Sequence, residues 1–460
     1  MTIHQVINPA TAEVITAVEL TDRAGTDAAI ERAQKAFETW RHVAPRDRAR
    51  LLRRFADLID RHIPELADLE VANAGHTIGN ATWEAGNVRD LLEYSAAMPE
   101  RLSGRQIPVD GGVNITFLEP LGVVGVIVPW NFPMPIAAWG FAPAPAAGNT
   151  VVLKPAEVTP LTAIRLGELA REAGIPDGVL TVLPGKGSVV GDRFVTHPLV
   201  RKVVFTGSTA VGRRVMAGCA EQVKNVTLEL GGKNANIIFA DADIAAAAAA
   251  APAGVFDNAG QDCCSRSRLL VQSAVYDEVM AALETAVQDF VCADPRLAST
   301  DMGPLVTAAH RDSVAAYVDA AEVAFTGTCP DGPGFWFPPT VVTPPGPSAP
   351  DFTEEIFGPV LSVVRFDTEE EAVALTNDTD YGLSGSLWTR DLDRALRVSR
   401  AIEAGNLSVN SHSSVRYWTP FGGYKQSGIG RELGPDAVAA FTETKNVFLA
   451  VQANRNEGEQ

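Results

Sequence analysis

The feature that most constrains this chain is a series of short apolar runs separated by longer amphipathic stretches. Each run is rich in β-branched residues and ends in proline, glycine or a polar residue, which is typical of strands. After a first stretch of 75 residues that we predict to be helical, the runs are Gly122–Val128, Thr150–Leu153, Val179–Leu183, Lys202–Phe205 and Val226–Leu230. The stretches between several of them, among them Leu161–Gly174 and Thr209–Ala220, have the period of helices. We therefore expect βαβ units and a parallel sheet that is covered on both faces.

A second series begins after Gly231 and Gly232 and predicts a second lobe. Its segments are the strands Asn236–Phe239, Arg268–Val271 and Val360–Phe366 and the helices Ala274–Val291 and Ala308–Ala321. The Pro/Gly-rich interval Pro330–Pro350 predicts loops around one short strand. A length of 460 residues also favours more than one domain. The predicted fold class is α/β, with two lobes that meet near Gly231 and with ligands at the carboxyl ends of the strands.

Composition argues against several classes of function. The chain has 38 Lys+Arg against 56 Asp+Glu, and the net charge of −18 disfavours binding to nucleic acid or to an anionic membrane. No run reaches the roughly 18 apolar residues of a membrane-spanning helix, and the first 16 residues do not resemble a signal peptide. Five cysteines without a C-x-x-C pair, and seven histidines without metal-ligand spacing, predict neither disulfides nor a metal site. We expect a cytoplasmic protein in which His412 is a pocket or surface residue.

The first candidate for chemistry is Cys263, in the polar segment Asn258–Arg268 that precedes a predicted strand. A thiolate is a strong nucleophile once a helix terminus or a nearby cation lowers the pKa of the thiol. Loops that contain glycine and polar residues commonly carry such groups. A small buried cysteine is the alternative interpretation, and spacing alone does not separate Cys263 from Cys264.

Two polar residues at predicted strand ends are further candidates. Glu229 lies at the end of the strand Val226–Leu230, directly before two glycines, where its carboxylate is suited to act as a general base. Asn131 lies between two prolines just past the strand Gly122–Val128, where its amide is suited to stabilise an oxyanion. The alternatives are an ordinary edge-strand charge for Glu229 and a turn residue for Asn131.

Two more strand ends indicate a nucleotide site. The segment Gly207–Gly212 follows a strand and opens a helix, where backbone N–H groups hold phosphate, although it is neither a G-x-G-x-x-G fingerprint nor a P-loop. Lys154 and Glu157 follow another strand and suit the hydroxyls of a ribose, or alternatively the start of a helix. Each signal is weak, and together they favour a nucleotide.

Seven motifs in register resemble the NAD(P)-dependent aldehyde dehydrogenase superfamily from about Asn8 to Lys445. They are Pro129–Pro133, Lys154–Glu157, Phe205–Gly212, Leu228–Lys233, Asn258–Arg268, Glu354–Pro359 and Phe421–Gly428. The resemblance implies an aldehyde dehydrogenase-like fold of two Rossmann-type α/β lobes plus a small β oligomerisation element. The implied domains are an NAD-binding domain over 1–101 and 121–230, a catalytic domain over 231–434, and an oligomerisation element over 102–120 and 435–460. A homodimer or homotetramer is expected.

The same resemblance implies roles for single residues. It selects Cys263 over Cys264 as the nucleophile, because Cys263 stands two residues after Gln261, and it makes Glu229 the base. Asn131 becomes the oxyanion donor together with the backbone N–H of Cys263. The implied cofactor contacts are Pro129, Trp130, Lys154, Glu157, Gly187, Phe205, Gly207, Ser208, Gly231, Glu355 and Phe357. The implied lining of the aldehyde tunnel is Phe132, Trp139, Asp262, Cys264, Val415 and Phe421.

The chain departs from the family pattern beside Trp139. Many members carry a lysine directly after the tryptophan that corresponds to Trp139, and that lysine can couple to the glutamate that matches Glu432. This chain has Gly140 at that position. Glu432 remains a candidate relay without that lysine.

The implied reaction oxidises an aldehyde to the free carboxylic acid. A thiohemiacetal forms on Cys263, hydride passes to NAD, and water activated by Glu229 hydrolyses the thioester. The presence of Glu229 disfavours the first alternative, a coenzyme A-acylating semialdehyde dehydrogenase, because such members generally lack this glutamate. The second alternative is a non-catalytic structural or binding member of the fold. Glu157 favours NAD over NADP, because its charge would repel a 2′-phosphate.

The residues of the predicted tunnel are compatible with several classes of aldehyde substrate. An aromatic lining suits an apolar aldehyde or, by cation–π attraction, an ammonium group. Asp262 favours a cationic aminoaldehyde. Arg266 or Arg416 would instead favour a semialdehyde that bears a carboxylate.

Overall fold

The computed structural model of the chain describes residues 2–413 and 415–451. The end of the predicted oligomerisation segment, 452–460, lies outside the described residues. The helices of the described part are α1 (Arg23–Trp40), α2 (Pro45–Ala74), α3 (Ile78–Ala96), α4 (Pro133–Phe141), α5 (Pro143–Ala146), α6 (Leu161–Glu172), α7 (Asp192–Thr196), α8 (Thr209–Ala220), α9 (Ile244–Phe256), α10 (Tyr276–Gln288), α11 (Ala308–Asp319), α12 (Pro350–Thr353), α13 (Glu369–Asn377) and α14 (Leu392–Ala401).

The strands of the same residues form five sheets. They are β1 (Thr2–Ile7), β2 (Val14–Leu20), β3 (Gln106–Val109), β4 (Gly112–Pro120), β5 (Val123–Ile127), β6 (Thr150–Lys154), β7 (Leu180–Val182), β8 (Val200–Thr206), β9 (Asn225–Glu229), β10 (Ala235–Ile238), β11 (Arg268–Gln272), β12 (Val323–Thr326), β13 (Thr340–Val342), β14 (Val360–Phe366), β15 (Tyr381–Gly382), β16 (Ser384–Trp388), β17 (Asn406–Val409), β18 (Tyr424–Lys425), β19 (Gly428–Ile429) and β20 (Thr442–Ala450).

The first lobe is built on a six-stranded sheet of order β19-β9-β8-β5-β6-β7. Strands β5 to β9 pair in parallel, which confirms the predicted parallel sheet. Alternate residues of β5 serve two cores: Val123 and Ile127 pack with α1, α7 and α8, whereas Val124 and Val126 pack with α2 to α6. Both faces are covered, which explains why the apolar runs are continuous in the sequence.

The second lobe is built on a seven-stranded sheet of order β12-β13-β14-β11-β10-β16-β17. Its strands pair in parallel except for β12, which pairs antiparallel with β13. The proline-rich interval contains β13 as its short strand. Helices α9 and α10 pack on this sheet through residues such as Val255 and Leu283.

The prediction that the first 75 residues are helical was wrong at the start of the chain. β1 and β2 form an antiparallel pair before α1 begins. The pair is largely exposed on both faces, so its strands carry little of the apolar alternation by which strands are recognised.

Two strands near the end of the chain return to earlier parts of the fold. β19 pairs antiparallel with β9, with Gly428 opposite Glu229, although Gly428 lies within the predicted catalytic segment. β20 pairs with β4, and β4 with β3, in a separate three-stranded sheet. The domain boundaries stay predictions. No helix within 2–413 or 415–451 is long and apolar enough to cross a membrane.

Candidate active site

The loop that carries Cys263 begins with an unusual backbone turn. After α9, the three residues Asn258, Ala259 and Gly260 have φ values of 51°, 54° and 70°. Residues other than glycine adopt this left-handed conformation rarely, because their Cβ approaches the backbone. The Asn258 side chain offsets part of the cost by donating hydrogen bonds to the carbonyl oxygens of Asn131 (2.8 Å) and Gln261 (3.2 Å). The turn thereby holds the Cys263 segment against the loop that follows β5.

Asn131 lies on that second loop and is buried. Its Nδ2 atom donates a hydrogen bond to the carbonyl oxygen of Gln261 at 3.0 Å, so the two loops are tied in both directions. A carboxamide carries two N–H donors, and this bond uses one of them. The arrangement leaves a rigidly held donor of Asn131 for a second acceptor near Cys263.

The Cys263 side chain lines two cavities. One, of about 250 Å³, lies at the carboxyl ends of β5, β8 and β9. The other, of about 240 Å³, lies on the side of α4. The neighbouring Cys264 thiol, and then burial, raise the pKa of the Cys263 thiol well above its ordinary value. The surrounding groups therefore favour the neutral thiol on balance, although the nearby Arg266 cation acts in the opposite direction.

Glu229 is the last residue of β9 and shares the first cavity with Cys263. It is 2% exposed, and neither of its carboxylate oxygens has a hydrogen-bond partner among the described residues. Burial, and then the charge of Glu432, raise the pKa of Glu229 well above its ordinary value, while Arg431 acts in the opposite direction. A buried carboxylate of this kind readily takes up a proton.

Glu432 lies beside Glu229 and is also buried, with both carboxylate oxygens unpartnered within the described residues. Burial raises the pKa of Glu432 to about 7, against the influence of Lys202. Its backbone is held in an isolated antiparallel bridge with Phe421. Glu432 therefore acts on Glu229 electrostatically.

The first cavity contains most of the predicted cofactor residues. Its lining includes Pro129, Trp130, Gly207, Ser208, Gly231, Glu355 and Phe357, together with Thr206 and Leu230, which sequence reasoning missed. The backbone N–H of Gly232 donates to Glu355 at 2.8 Å, and burial raises the pKa of that carboxyl to about 7. The Trp130 ring meets the rings of Phe357 and His310 edge-on at 5.3 and 5.2 Å. His310 was also missed, because α11 brings it to the site from a distant segment.

Four predicted cofactor residues do not line this cavity: Lys154, Glu157, Gly187 and Phe205. Lys154 ends β6, and its Nζ donates to the Pro155 carbonyl at 2.7 Å. Burial lowers the pKa of Lys154 to about 8, against the charge of Glu157. Gly187 lies close to the Lys154 side chain, and Phe205 packs under Gly207. These four residues lie outside the cavity, and their contacts with a cofactor stay predictions.

The second cavity contains all six residues predicted for the aldehyde tunnel. They are Phe132, Trp139, Asp262, Cys264, Val415 and Phe421. The rings of Trp139 and Phe421 are in contact, with centroids 5.0 Å apart. Sequence reasoning missed several members of the lining, which come from α3, α4, the end of α9 and the loop after β17: Trp83, Pro135, Ile136, Asp257 and Ser413. His412 also lines this cavity, as a pocket residue.

The charged side chains in and near this cavity differ in their hydrogen-bond partners and in whether they line it. Arg266 lines it, but its guanidinium donates to the carbonyl oxygens of Cys264 and His412. Arg416 is exposed, bonds to Ser413, and is not part of the lining. Asp262 accepts a hydrogen bond from the Cys264 N–H at 2.8 Å, and Asp257 accepts one from Asn80 at 2.5 Å. Burial raises the pKa of both aspartates.

A cluster of titratable groups, Glu70, His76 and Glu84, lies between α2 and α3. His76 Nδ1 is 2.5 Å from a Glu84 carboxylate oxygen, and all three side chains are buried. Their potential ligand atoms lie within 4.8 Å of one another. We call this group the α2–α3 cluster. The ring of His76 also meets that of Phe132, at 5.7 Å, so the cluster adjoins the second cavity.

Comparison with known proteins decides the family. A sequence model of the aldehyde dehydrogenase family matches residues 2–447. The chain belongs to the aldehyde dehydrogenase family. It is therefore an oxidoreductase that acts on aldehydes, and the predicted family is confirmed.

Individual relatives of this aldehyde dehydrogenase match along nearly its whole length. An aldehyde dehydrogenase of Davidiella tassiana is 41% identical over 452 residues, covering 96% of this chain and 91% of the relative. A phenylacetaldehyde dehydrogenase of Pseudomonas fluorescens is 41% identical over 464 residues, covering 97% and 92%. The crystal structure of betaine aldehyde dehydrogenase from Staphylococcus aureus in complex with NAD+ matches with a TM-score of 0.95 at 36% identity, covering 100% and 94%. These matches confirm the predicted fold class.

Proposed function

We propose that this aldehyde dehydrogenase oxidises its substrate to the free carboxylic acid with NAD, through a covalent intermediate on Cys263. The observation that carries the proposal is the position of Cys263. Its side chain lines both cavities, so one thiol faces a cofactor site and an aldehyde site at the same time. Asn131 and Glu229 line the first of these cavities with it.

The lining of the first cavity is suited to the nicotinamide half of NAD. A Cβ atom on Gly231 would collide with the Glu355 carboxylate, and one on Gly207 would lie 2.7 Å from the Phe205 ring, so the close packing of these side chains requires glycine at both positions. Glu355 would hold the nicotinamide ribose, and Trp130 and Phe357 would pack near the ring. Lys154 and Glu157 would hold the adenosine ribose, where the charge of Glu157 favours NAD over NADP. Bound NAD supplies the hydride acceptor.

The residues around Cys263 account for the acyl chemistry. When sulfur adds to the aldehyde carbon, negative charge develops on oxygen, and the Asn131 amide and the Cys263 backbone N–H would stabilise it. After oxidation the acyl group remains on sulfur as a thioester. Glu229 then takes a proton from water as the water oxygen bonds to the acyl carbon and the carbon–sulfur bond breaks. A base with a raised pKa is effective for this step near neutral pH.

The lining of the second cavity favours an apolar or cationic aldehyde. Its aromatic rings surround the approach to Cys263, and its carboxylates are Asp257 and Asp262. Arg266 is occupied by main-chain carbonyls, which disfavours a substrate with a carboxylate. One relative is a phenylacetaldehyde dehydrogenase, and phenylacetaldehyde is apolar. Another is a betaine aldehyde dehydrogenase, and betaine aldehyde is cationic.

We also propose that the sheet of β3, β4 and β20 mediates a homodimer or homotetramer. Phe117, Phe448 and Leu449 are each about half exposed on this sheet, which is typical of an interface. A cytoplasmic location remains a prediction from the sparse cysteines, all five of which are free.

The test is NADH formation from NAD at neutral pH without coenzyme A, with phenylacetaldehyde, betaine aldehyde and a carboxylated semialdehyde. We expect turnover with one of the first two and none with Cys263→Ala, while Cys264→Ala stays active. Glu229→Gln should give one burst of NADH and then stop, because the thioester is not hydrolysed. Glu38→Gln, on the exposed face of α1, is the matched control and should behave as the parent.

Each part of the proposal has its own contrary result. Turnover that requires coenzyme A would replace hydrolysis by acyl transfer. NAD binding without any burst, across the whole panel, would favour a non-catalytic member of the family. Activity in Cys263→Ala would move the nucleophile to Cys264.

A further inference from the structure

We propose that Asn234 is a positioning residue for the nucleophile: its side-chain amide holds the peptide group that follows Cys263, and so fixes the direction of the Cys263 N–H and thiol. The inference rests on the proposed function, in which Cys263 attacks the aldehyde. Asn234 lines neither cavity, so it acts only through the backbone that it binds. That backbone is the turn of residues 262–265, which we call the nucleophile turn.

The nucleophile turn is closed by two of its own hydrogen bonds. The backbone N–H of Ser265 donates to the Asp262 carbonyl at 2.9 Å, and the N–H of Cys264 donates to Asp262 Oδ1 at 2.8 Å. The N–H of Cys263 has no hydrogen-bond partner within 2–413 or 415–451. Because the other two N–H groups are occupied, this one is the donor that the turn offers to a substrate oxygen.

Two carbonyl oxygens of the same turn are bound by Asn234. Its Nδ2 atom donates to the Cys263 carbonyl at 2.7 Å and to the Ser265 carbonyl at 2.9 Å, which uses both N–H groups of the amide. Its Oδ1 atom accepts a hydrogen bond from the backbone N–H of Ser384 at 2.8 Å. Asn234 is 3% exposed and directly precedes β10, while Ser384 begins the neighbouring strand β16. One buried amide therefore ties the nucleophile turn to two strands of the second sheet.

The peptide group between Cys263 and Cys264 is consequently held at both ends by side chains. Asn234 binds its carbonyl oxygen, and Asp262 binds its N–H. A peptide group is planar and its C=O and N–H bonds point in opposite directions, so these two hydrogen bonds fix the orientation of the plane. The preceding peptide group is fixed through the Asp262 carbonyl, which accepts from Ser265 and leaves the Cys263 N–H on the opposite side. With both flanking planes held, the N–H and the side chain of Cys263 have fixed directions.

The close approach of Asn234 to the turn depends on Gly232. A Cβ atom on Gly232 would lie 2.6 Å from the Cys263 carbonyl oxygen and 2.8 Å from Asn234 Oδ1, so a side chain there would push the turn away from the amide. The backbone N–H of the same glycine donates to Glu355 at 2.8 Å. The short segment 231–234 thus holds both the nucleophile turn and the carboxylate that we propose for the nicotinamide ribose.

The orientation of the Cys263 N–H matters twice in the proposed reaction. The Cys263 sulfur bonds to the aldehyde carbon, the thiol proton passes to water, and the electron pair of the C=O bond moves to oxygen. That pair returns to the C=O bond when hydride leaves the carbon, and attack of water on the thioester moves it to oxygen again. Donors stabilise this oxygen only within hydrogen-bond distance, and a misplacement of about 1 Å can lower a rate about 10²-fold. Loss of the Asn234 amide should therefore slow both chemical steps without weakening the binding of NAD.

The experiment uses Asn234→Asp, which keeps the shape and the acceptor for Ser384 but replaces the two donors by an oxygen that repels both carbonyls. The readout is NADH formation in a single turnover, with saturating NAD and with enzyme in excess over aldehyde. We expect this rate to fall by about 10- to 100-fold relative to the parent. The steady-state kcat should fall as well, while the Kd for NAD, measured by fluorescence quenching, stays that of the parent.

Asn149→Asp is the matched control, because Asn149 makes the same set of hydrogen bonds. Its Nδ2 donates to the carbonyls of Ala144 and Phe441 at 3.1 and 2.9 Å, and its Oδ1 accepts from the Gly122 N–H at 2.9 Å. It is fully buried at the amino ends of β5 and β6, whereas the first cavity lies at the carboxyl end of β5. Both variants should lose a similar amount of thermal stability. Only Asn234→Asp should lose single-turnover rate at a temperature where both are folded.

A milder pair of variants keeps the test decisive if Asn234→Asp does not fold. Asn234→Ser and Asn149→Ser each retain one donor without a charge, and the single-turnover rate of Asn234→Ser should be at least about threefold below that of Asn149→Ser. The inference is overturned if the two rates of a pair are equal, or if Asn234→Asp weakens NAD binding while its rate at saturation is unchanged. A parent that forms no NADH in a single turnover, or NADH formation that survives in Cys263→Ala, would instead refute the proposed function.

Discussion

At the scale of the residue, the candidate site depends on the side-chain amide of Asn131, which already uses one of its two N–H donors. Asn131 uses one N–H for the Gln261 carbonyl, and in the proposed mechanism the other stabilises the oxyanion. Its hydrogen bond also joins the loop after β5 to the loop of Cys263. Substitution should therefore affect the chemical step far more than the binding of cofactor.

We predict that Asn131→Ala lowers kcat by roughly 10²–10³, the usual loss when one oxyanion donor is removed. Affinity for NAD, measured by fluorescence quenching, should change little. Asn377→Ala is the matched control, because Asn377 also donates its amide to a carbonyl, that of Ala401, at 2.9 Å but away from the site. Equal kcat values in the two variants would exclude Asn131 from oxyanion stabilisation.

The residues themselves were largely predictable from the sequence, and their electrostatic state was not. The proposed nucleophile, base and tunnel residues follow from motifs that resemble those of the family, and the structure brings these residues together at the two cavities. The raised pKa of Cys263 depends first on a hydrogen bond with the Cys264 thiol and then on burial, and no local sequence pattern encodes either.

At the scale of the element, the left-handed turn before Cys263 is the most demanding piece of backbone. Gly260 has a φ of 70°, and a Cβ atom there would collide with the Gly358 carbonyl. We predict that Gly260→Ala costs about 1–3 kcal/mol and displaces Cys263, lowering kcat at least tenfold. Thermal melting and single-turnover kinetics measure the two effects.

Gly79→Ala is the control for that prediction. A Cβ on Gly79 meets nothing within 4 Å, and the residue lies in α3 with ordinary helical backbone. The substitution should be neutral or stabilise the protein by up to about 1 kcal/mol. Full activity in Gly260→Ala would show that the turn does not position the thiol.

The α2–α3 cluster gives a second prediction at this scale. Burial, and then the charge of Glu84, raise the pKa of Glu70 to about 8. Burial would lower the pKa of His76, but Glu84 outweighs it and raises that pKa to about 9. Since both folded-state values lie above those of the unfolded chain, the stabilising contributions are complete at low pH. They are lost as pH rises, for Glu70 between about 4.5 and 8.

We therefore predict that Glu70→Gln flattens the dependence of the melting temperature on pH. Between pH 5.5 and 8.5 the melting temperature of the parent should fall by about 1–3 °C more than that of the variant. Glu38→Gln serves again as the exposed control. A variant that loses as much as the parent would mean that Glu70 is ionised throughout this range.

Elements with strong periodicity were predictable, and exposed ones were not. The predicted run Thr150–Leu153 differs from β6 by one residue, and the predicted helix Ala308–Ala321 from α11 by two at its end. β1, β2 and β3 carry few buried residues, so the apolar pattern that reveals strands is weak in them. The short strands β15, β18 and β19 exist because tertiary partners pair with them, which no window of sequence shows.

At the scale of the whole molecule, the exposed apolar side chains of the β3–β4–β20 sheet predict assembly. We expect the double substitution of Phe117→Ser and Phe448→Ser to lower the mass in solution from that of an oligomer toward that of a 48.8 kDa monomer. Light scattering after size-exclusion chromatography measures it. Leu392→Ser, at a 72% exposed position of α14, is the control and should leave the mass unchanged. An unaltered oligomer in the double variant would place the interface elsewhere.

The segment after β18 has a consequence for how this molecule can move. The backbone N–H of Leu230 donates to the Ser427 carbonyl at 2.8 Å, and Ser427 Oγ donates to Gly231 at 2.7 Å and accepts from Gly382 at 2.9 Å. The buried side chain of Ser427 therefore joins Gly231, which follows the strand of the proposed base, to Gly382. Separation of the lobes would break these hydrogen bonds close to Glu229. With the lobes held together, the proposed dinucleotide and aldehyde would reach Cys263 from two different sides, each through its own cavity.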